Sequence, residues 1–374
     1  MTARSPSAGL VAFYLGHLRA GGAERVFVRL AHELAAIGYD TCLVLHRAEG
    51  EFLDEVTRPV HDLHASRTLW AIPRLAAWLR QHRPSLLLSA LSHNNIAAVI
   101  ARRLAGVGTR IVVSEHTIFS RQTEQSWKFW MMPTLARMVY PSATAIVAIS
   151  TAGKRDLEAA LAPRRCMIEV LPDPVVGEDV PARAAAPVPH PWLAAGRGVP
   201  IVLAAGRLEP VKDFALLLEA FARVVARRPA RLIILGEGSE RAALEARRAA
   251  LGLEAAVQLP GVVPDTLPWF TRADLVVMSS RYEGFGLVLI EAMACGVSVV
   301  TTEAGGPPAE ILGELGRVVP SGDVSALADA MLHMLDHPAP AEALKQRAAN
   351  FSVAASVAAY ARLIERCMPG AAPA

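Results

Sequence analysis

Two carboxylates, Glu283 and Glu291, frame the seven residues Gly-Phe-Gly-Leu-Val-Leu-Ile, directly behind the apolar run 274–280. The run ends in a Gly-punctuated loop followed by an apolar helical pattern, which puts Glu283 on the loop and Glu291 about one turn inside the helix. Near such a helix start the free N–H groups of Phe285, Gly286 and Leu287 and the positive dipole end favour a phosphate. At ~1.5 Å rise per residue, Glu291 lies about 6 Å along the axis from Leu287, the reach from a diphosphate to a ribose. Glu283, outside the helix, then faces whatever hangs from the other phosphate. An isolated pair at this spacing is more often a solvated loop acid and an ordinary helical Glu, so the surrounding residues decide.

Several other residues have types suited to the same chemistry. Arg207 and Lys212 flank a Pro-containing turn after the run 201–205, where open α/β sheets bind ligands. A guanidinium fork and a Lys point charge together neutralise a diphosphate, with Glu209 and Asp213 as candidates to orient them. His116, in Ser-Glu-His-Thr just past another apolar run, sits at the equivalent place in the first half. Its imidazole suits a hydrogen bond to a sugar hydroxyl or a proton shuttle near neutral pH. Gly21 and Gly22 follow the first run and open a helical pattern, an arrangement that lets backbone approach a ligand closely. The loop 236–240 is either a nucleotide cover or a simple helix start capped by Ser239.

Around these residues the chain reads as two series of short β-rich runs alternating with helical patterns. The first is 10–15, 41–45, 86–90, 110–114 and 145–149; the second is 201–205, 231–235, 257–259, 274–278, 297–300 and 317–320. Continuous apolar strands separated by helices mean parallel sheets covered on both faces, hence two Rossmann-like domains. Residues 173–200, with Asp-Pro, an Ala/Pro-rich stretch and Pro-His-Pro, read as the linker. The domains are therefore expected at 1–172 and 201–352, with a last helical pattern from 353 that no strand follows. Neither half has G-x-G-x-x-G after its first strand, so no dinucleotide cofactor is indicated.

Composition narrows the class. The chain has 374 residues, 53% hydrophobic and only 6% aromatic, ample for two α/β cores. No apolar run reaches the roughly 18–20 residues of a membrane span. The first residues lack a signal-peptide pattern, which gives a cytoplasmic expectation. Cys42, Cys166, Cys295 and Cys367 are scattered, without metal-ligand spacing, and read as small buried hydrophobes. Residues 1–172 carry 20 Lys and Arg against 13 Asp and Glu, and the remainder 18 against 22. The positive first half suggests an anionic partner. No nucleic-acid-binding motif is present, so an anionic bilayer or phosphorylated lipid fits better. The segments 127–132 and 69–80 mix Trp, Met and Arg; each reads equally as a bilayer-interface helix or a core stripe with a basic outer face.

Five segments in order, Gly21-Gly-Ala-Glu-Arg25, Ala204-Ala-Gly-Arg-Leu-Glu-Pro-Val-Lys-Asp213, Ser280-Arg-Tyr, the Glu283 to Glu291 element and Gly305-Gly-Pro-Pro-Ala-Glu-Ile-Leu312, resemble glycosyltransferase family 4 over nearly the whole chain. The resemblance implies a GT-B type α/β fold: two Rossmann-like domains facing each other across a cleft, with the C-terminal helix, about 353–374, crossing back to the first domain. It implies a retaining transfer from a nucleotide-sugar, UDP-sugars being the commonest donors, to a hydroxyl of a glycan or lipid-linked glycan in bacterial-type surface polysaccharide assembly. No metal or other cofactor is expected. In that reading Arg207 and Lys212 stabilise the leaving diphosphate, Glu291 holds the ribose, Glu283 and His116 serve the transferred sugar, and Gly21, Gly22, Phe285, Gly286 and Leu287 line the sugar-donor site. The expected location is the cytoplasm, at the inner face of the membrane where the acceptor is lipid-linked. Two alternatives remain at this level: a nucleotide-sugar 2-epimerase of similar architecture, and a non-catalytic sugar-nucleotide-binding scaffold.

Overall fold

The computed structural model describes residues 9–19, 21–116, 118–121, 131–162, 167–194, 198–304 and 306–368. The chain divides into two compact units, one of Met1–Pro174 with Val353–Ala374 and one of Val175–Ser352. Of the interfacial segment 127–132, residues 127–130 lie outside the described residues, as do Cys166, Thr117 and Gly305.

Unit 1 is built on seven parallel strands: β1 (Val11–Leu15), β2 (Thr41–Leu45), β3 (Val60–Asp62), β4 (Leu86–Ala90), β5 (Arg110–Glu115), β6 (Ala145–Ala148) and β7 (Ile168–Val170), in the order β3-β2-β1-β4-β5-β6-β7. β1, β2 and β4 are buried along their whole length, which is why they read as continuous apolar runs. Register is set in the same way, with Val11 opposite Thr41 on one side and Leu86 on the other. Helices α1 (Gly22–Ala36), α2 (Thr68–His82) and α3 (Ser92–Ala105) cover the faces. α1 turns Val26, Phe27, Leu30, Ala31 and Leu34 inward at helical spacing, and the Phe27 ring meets Phe13 of β1 edge-on at 5.5 Å. The C-terminal helix Val353–Cys367 buries Val357, Tyr360, Leu363 and Ile364 in the same core. Val357, Leu363 and Ile364 each contribute about 1.5–3 kcal/mol by burial. Arg366 at its end pairs with Glu169 of β7, so the last helix belongs to unit 1.

Unit 2 has six parallel strands, β8 (Ile201–Ala205), β9 (Arg231–Leu235), β10 (Val257–Gly261), β11 (Leu275–Met278), β12 (Ser298–Thr302) and β13 (Arg317–Val319), in the order β10-β9-β8-β11-β12-β13. Its main core packs Leu217, Phe221 and Val224 of the Phe214–Arg227 helix and Leu327 and Met331 of the Val324–Asp336 helix onto the sheet. The stretch expected as a linker is divided: Asp173 and Pro174 stay with unit 1, and the rest, including the short helix Val180–Ala184, belongs to unit 2. There Arg183 forks onto Asp265 at 2.8 and 3.0 Å, so the Ala/Pro-rich composition hides an anchored segment.

In both sheets the winding direction reverses beside the first strand, between β1 and β4 in unit 1 and between β8 and β11 in unit 2. Crevices at the carboxyl ends of such strand pairs are where open α/β sheets bind ligands. No helix among the described residues is long and apolar enough to cross a membrane.

Candidate functional site

The reversal in unit 2 gathers the residues singled out by type and spacing. β8 ends at Ala205, and the loop after it carries Arg207 and, in a short turn, Lys212; β11 ends at Met278, and its loop carries Glu283. Lys212 Nζ forms an ion pair with Glu283 Oε1, the two side chains being 21% and 15% exposed. Ser280 Oγ donates to the same carboxylate oxygen at 2.8 Å, and Glu283 N donates to Ala304 O at 3.0 Å. Behind it, a Cβ on Gly306 would stand 2.4 Å from Glu283 O, so only glycine lets the following loop approach this closely. Glu283 is thus a fixed acceptor. The Lys212 loop is tied to the β11 end in turn, because Ser279 Oγ donates to Lys212 O at 2.8 Å.

Arg207 is exposed and has no carboxylate partner among the described residues. The two acids expected to orient the cations do otherwise. Glu209 accepts from Ser239 Oγ at 2.8 Å, and Asp213 pairs with Arg281 at 2.8 Å. Ser239 is accordingly not a helix cap; Glu240 stands at that position, ahead of the helix Arg241–Ala250. The loop 236–240 packs tightly on the β8 loop. Gly236 has φ +134°, and a Cβ there would meet Gly206 O at 1.9 Å. Gly236→Ala is therefore expected to destabilise unit 2 by about 1–3 kcal/mol from backbone strain, before any clash is counted. A denaturant midpoint equal to that of the wild type would contradict this packing.

The helix Leu287–Ala294 starts at Gly286, whose φ is +85°, with no side chain capping its N–H groups. Phe285 is 5% exposed and meets Phe351 edge-on, so it offers the site only backbone. Glu291, on the fifth residue of the helix, is half-buried and accepts from Thr266 Oγ1 at 3.4 Å. Loop acid, helix start and helical acid therefore follow in the predicted order.

Unit 1 treats its candidates differently. At Gly21, the N-cap of α1, a Cβ would stand 2.2 Å from Glu24 Oε2. Glu24 thus folds back over the helix start, which already has an anion of its own. His116 lies at the mouth of β5, its side chain 5% exposed. Nε2 lies 3.0 Å from Ser114 Oγ and Nδ1 3.3 Å from Asp173 Oδ1, itself on a side chain 4% exposed. Neither of these last two atoms makes a well-aligned hydrogen bond, so the contact is mainly electrostatic. Burial opposes charge on His116, but Asp173 at contact, with Glu115 and Glu24 nearby, outweighs it and raises the pKa. Asp173 escaped the sequence reading because it sits in an Asp-Pro at the unit boundary, 57 residues from its partner. Glu115 points inward, accepting from Ser92 Oγ at 2.7 Å, Asn95 Nδ2 at 3.1 Å and Tyr140 Oη, and is structural.

Among the described residues no three His, Cys, Asp or Glu side chains converge as metal ligands. Cys42 and Cys367 are buried as expected, whereas Cys295 is only half-buried, its thiol directed at Leu267 O at 3.7 Å.

Two family models match the chain side by side. Glycosyltransferase Family 4 matches residues 20–176 and Glycosyl transferases group 1 matches residues 199–337. An N-acetylgalactosamine-N,N'-diacetylbacillosaminyl-diphospho-undecaprenol 4-alpha-N-acetylgalactosaminyltransferase of Campylobacter jejuni is 26% identical over 352 residues, 90% of this chain and 92% of the relative. A lipopolysaccharide core biosynthesis glycosyltransferase, LpsE, of Rhizobium meliloti is 37% identical over 133 residues, covering 35% of this chain and 38% of its own. Among solved structures, HepE of Anabaena with UDP and glucose has a TM-score of 0.81 at 22% identity, covering 96% of this chain and 100% of that one. The relatives named are glycosyltransferases, and the epimerase alternative finds no support among them. The chain belongs to the glycosyltransferases of family 4, with a fold of the GT-B type.

Proposed function

We propose that the chain transfers a glycosyl group, with retention, from a UDP-sugar to a hydroxyl of a lipid-linked or surface glycan. The observation that carries this reading is the set of groups at the β8/β11 reversal: an exposed Arg207, Lys212 held against Glu283, and the uncapped start of Leu287–Ala294. Two cations and a helix N-terminus suit a diphosphate, and the acids on either side of them suit hydroxyls. The Campylobacter relative is named for a diphospho-undecaprenol acceptor, and HepE was solved with UDP and with UDP-glucose, which favours this class of substrates.

In this reading Arg207 and Lys212 stabilise charge growing on the departing diphosphate, and no metal is needed. Glu291 takes the ribose hydroxyls and Glu283 the hydroxyls of the transferred sugar. The departing phosphate accepts the acceptor's proton, since no side chain is assigned as nucleophile. His116, with both ring nitrogens turned to Ser114 and Asp173, contributes positive charge rather than proton transfer. The enzyme works on the cytoplasmic side, at the inner face of the membrane, where its positive first half meets anionic lipid.

Thermal shift against UDP- and GDP-sugars tests the donor class; a UDP-sugar at 100 times its Kd stabilises by about 2.7 kcal/mol. Glu291→Ala is expected to weaken free UDP and UDP-sugar alike, about tenfold or more. Glu283→Ala is expected to leave UDP binding intact and to cut transfer. Equal affinity of the wild type and Glu291→Ala for UDP would remove the ribose assignment.

A further inference from the structure

The segment 69–80 divides between surface and core. Trp70 is 62% exposed, whereas Trp78, further along α2, is 7% exposed. The indole of Trp78 lies flat against the ring of His82, the last residue of α2, with centroids 4.5 Å apart and planes at 16°. His61, in the middle of the edge strand β3, closes the cluster, its centroid 5.2 Å from Trp78 and 4.9 Å from His82. Packing holds the indole, since its Nε1 is buried without a hydrogen-bond partner.

A hydrogen bond fixes how His82 presents itself. Its Nδ1 lies 3.0 Å from Trp78 O; a carbonyl only accepts, so Nδ1 carries the proton and, in the neutral ring, Nε2 carries the lone pair. A backbone carbonyl behind the other ring nitrogen is the arrangement that orients histidine ligands towards metal ions. His61 makes no hydrogen bond or ion pair among the described residues, so both of its nitrogens are unengaged. Two imidazoles bound through nitrogen at ~2.0–2.1 Å to one tetrahedral ion have centroids about 5 Å apart, which matches the separation of His61 and His82.

The local charge agrees. The last carbonyls of α2 make that helix end partly negative and favourable to a cation. Arg80 is turned away, donating to Leu104 O and Ala105 O, and Arg83, just past the helix, is exposed. The other neighbouring histidines are committed elsewhere. His333 and His337 stand 4.8 Å apart at the end of the helix Val324–Asp336, but the Arg317 guanidinium sits 3.2 Å from His333 Nε2. His17, His46 and His93 share a cavity beside β1 and β4, but Tyr14 Oη takes His46 Nε2 at 2.6 Å. Aromatic stacking alone accounts for Trp78 and His82. It gives no reason for a second imidazole, unpaired, at ligand spacing.

We propose that His61 and His82 together bind a late first-row divalent ion, zinc, nickel or copper, whose remaining positions water fills. Imidazole suits these ions, and copper is expected to bind most tightly. The ion acts as a clip, joining β3, a three-residue edge strand, to the far end of the helix that follows it. Because α2 returns the chain to the start of the parallel strand β4, His82 lies towards the amino ends of the strands, away from the crevice. The site therefore braces unit 1 and is independent of the glycosyl-transfer reading.

The test uses untagged protein stripped with a chelator, without nucleotide. Nickel or copper is titrated in while tryptophan fluorescence and the heat of binding are recorded. One ion is expected per chain, with partial quenching because Trp78 lies against a ligand ring, and zinc should reverse the quenching by competition. His61→Gln and His82→Gln should each weaken binding about tenfold or more, since even the partners behind a ligand are worth about 10–100-fold. Trp78→Phe should keep the heat of binding and lose most of the quenching. Zinc at 100 times its Kd should shift the wild-type folding equilibrium about 100-fold towards the folded state, and should shift that of His61→Gln far less. His61→Gln leaves the stack of Trp78 on His82 in place, and its unfolding midpoint without metal verifies that it is folded. If His82→Gln loosens α2, His61→Gln and Trp78→Phe still decide. Unchanged affinity in His61→Gln, quenching untouched by Trp78→Phe, or no saturable binding by the wild type overturns the site.

Discussion

Arg207→Ala and Lys212→Ala are each expected to lower turnover by about 10²–10³-fold, with a smaller loss in UDP-sugar affinity. Charge accumulates on the leaving diphosphate as the glycosidic bond breaks, so a cation fixed beside it binds the transition state more strongly than the ground state. Removing one preorganised group of this kind typically costs about 2.7–4 kcal/mol. The two variants should differ in one respect. Arg207 is exposed and unpaired with any carboxylate among the described residues, so its loss leaves the fold unchanged. Lys212→Ala also strips the partner from Glu283, which is only 15% exposed and keeps Ser280 Oγ, so unit 2 should lose some stability as well. Single-turnover rates and UDP-sugar affinities measured on both variants separate these effects. Near-normal turnover in both would place the charge stabilisation elsewhere.

Asp173→Ala should cost about 3–5 kcal/mol of stability at low pH, because it leaves a buried imidazolium without its carboxylate. The sign of the pH dependence follows from the raised His116 pKa. A group whose pKa is higher folded than unfolded contributes stability that is fully present below its unfolded value, about 6.5 for His. That contribution is lost as pH rises through the folded pKa. The gap between wild type and variant should accordingly be widest below pH ~6.5 and narrow as pH rises through the raised folded pKa, where His116 becomes neutral in both. Denaturant titrations across that range decide it. A gap independent of pH would mean that Asp173 acts by packing alone.

The strands were legible where they are central. β2, β4, β8 and β9 begin and end at the residues their apolar runs indicate, because a strand buried on both faces reads as a nearly continuous apolar run. β3 and β7 were missed: each has three residues, lies at a sheet edge and is largely half-buried, so neither periodicity nor composition marks it. The unit 2 site was legible because its chemistry is local, with Arg207 to Lys212 and Glu283 to Glu291 each lying on one loop or one loop and helix. Nothing in the sequence pairs Lys212 with Glu283, however; only the adjacency of β8 and β11 does. The same holds for Asp173 and His116, and for His17, His46 and His93, lone histidines on three different connections that the order β2-β1-β4 brings to one cavity. A His or Asp within three residues of the end of these parallel strands was the available signal.

In the proposed reaction the residues at the β8/β11 reversal drive release of a nucleoside diphosphate by glycosyl transfer. The most direct measurement is release of UDP from labelled UDP-sugars by the wild type and by Arg207→Ala with Lys212→Ala, in the presence of lipid-linked glycan acceptors. UDP release is expected to be coupled to label entering the acceptor, and to be abolished in the double variant while the protein stays folded. Release at the wild-type rate by the double variant, or no transfer from any UDP-sugar by the wild type, would contradict it.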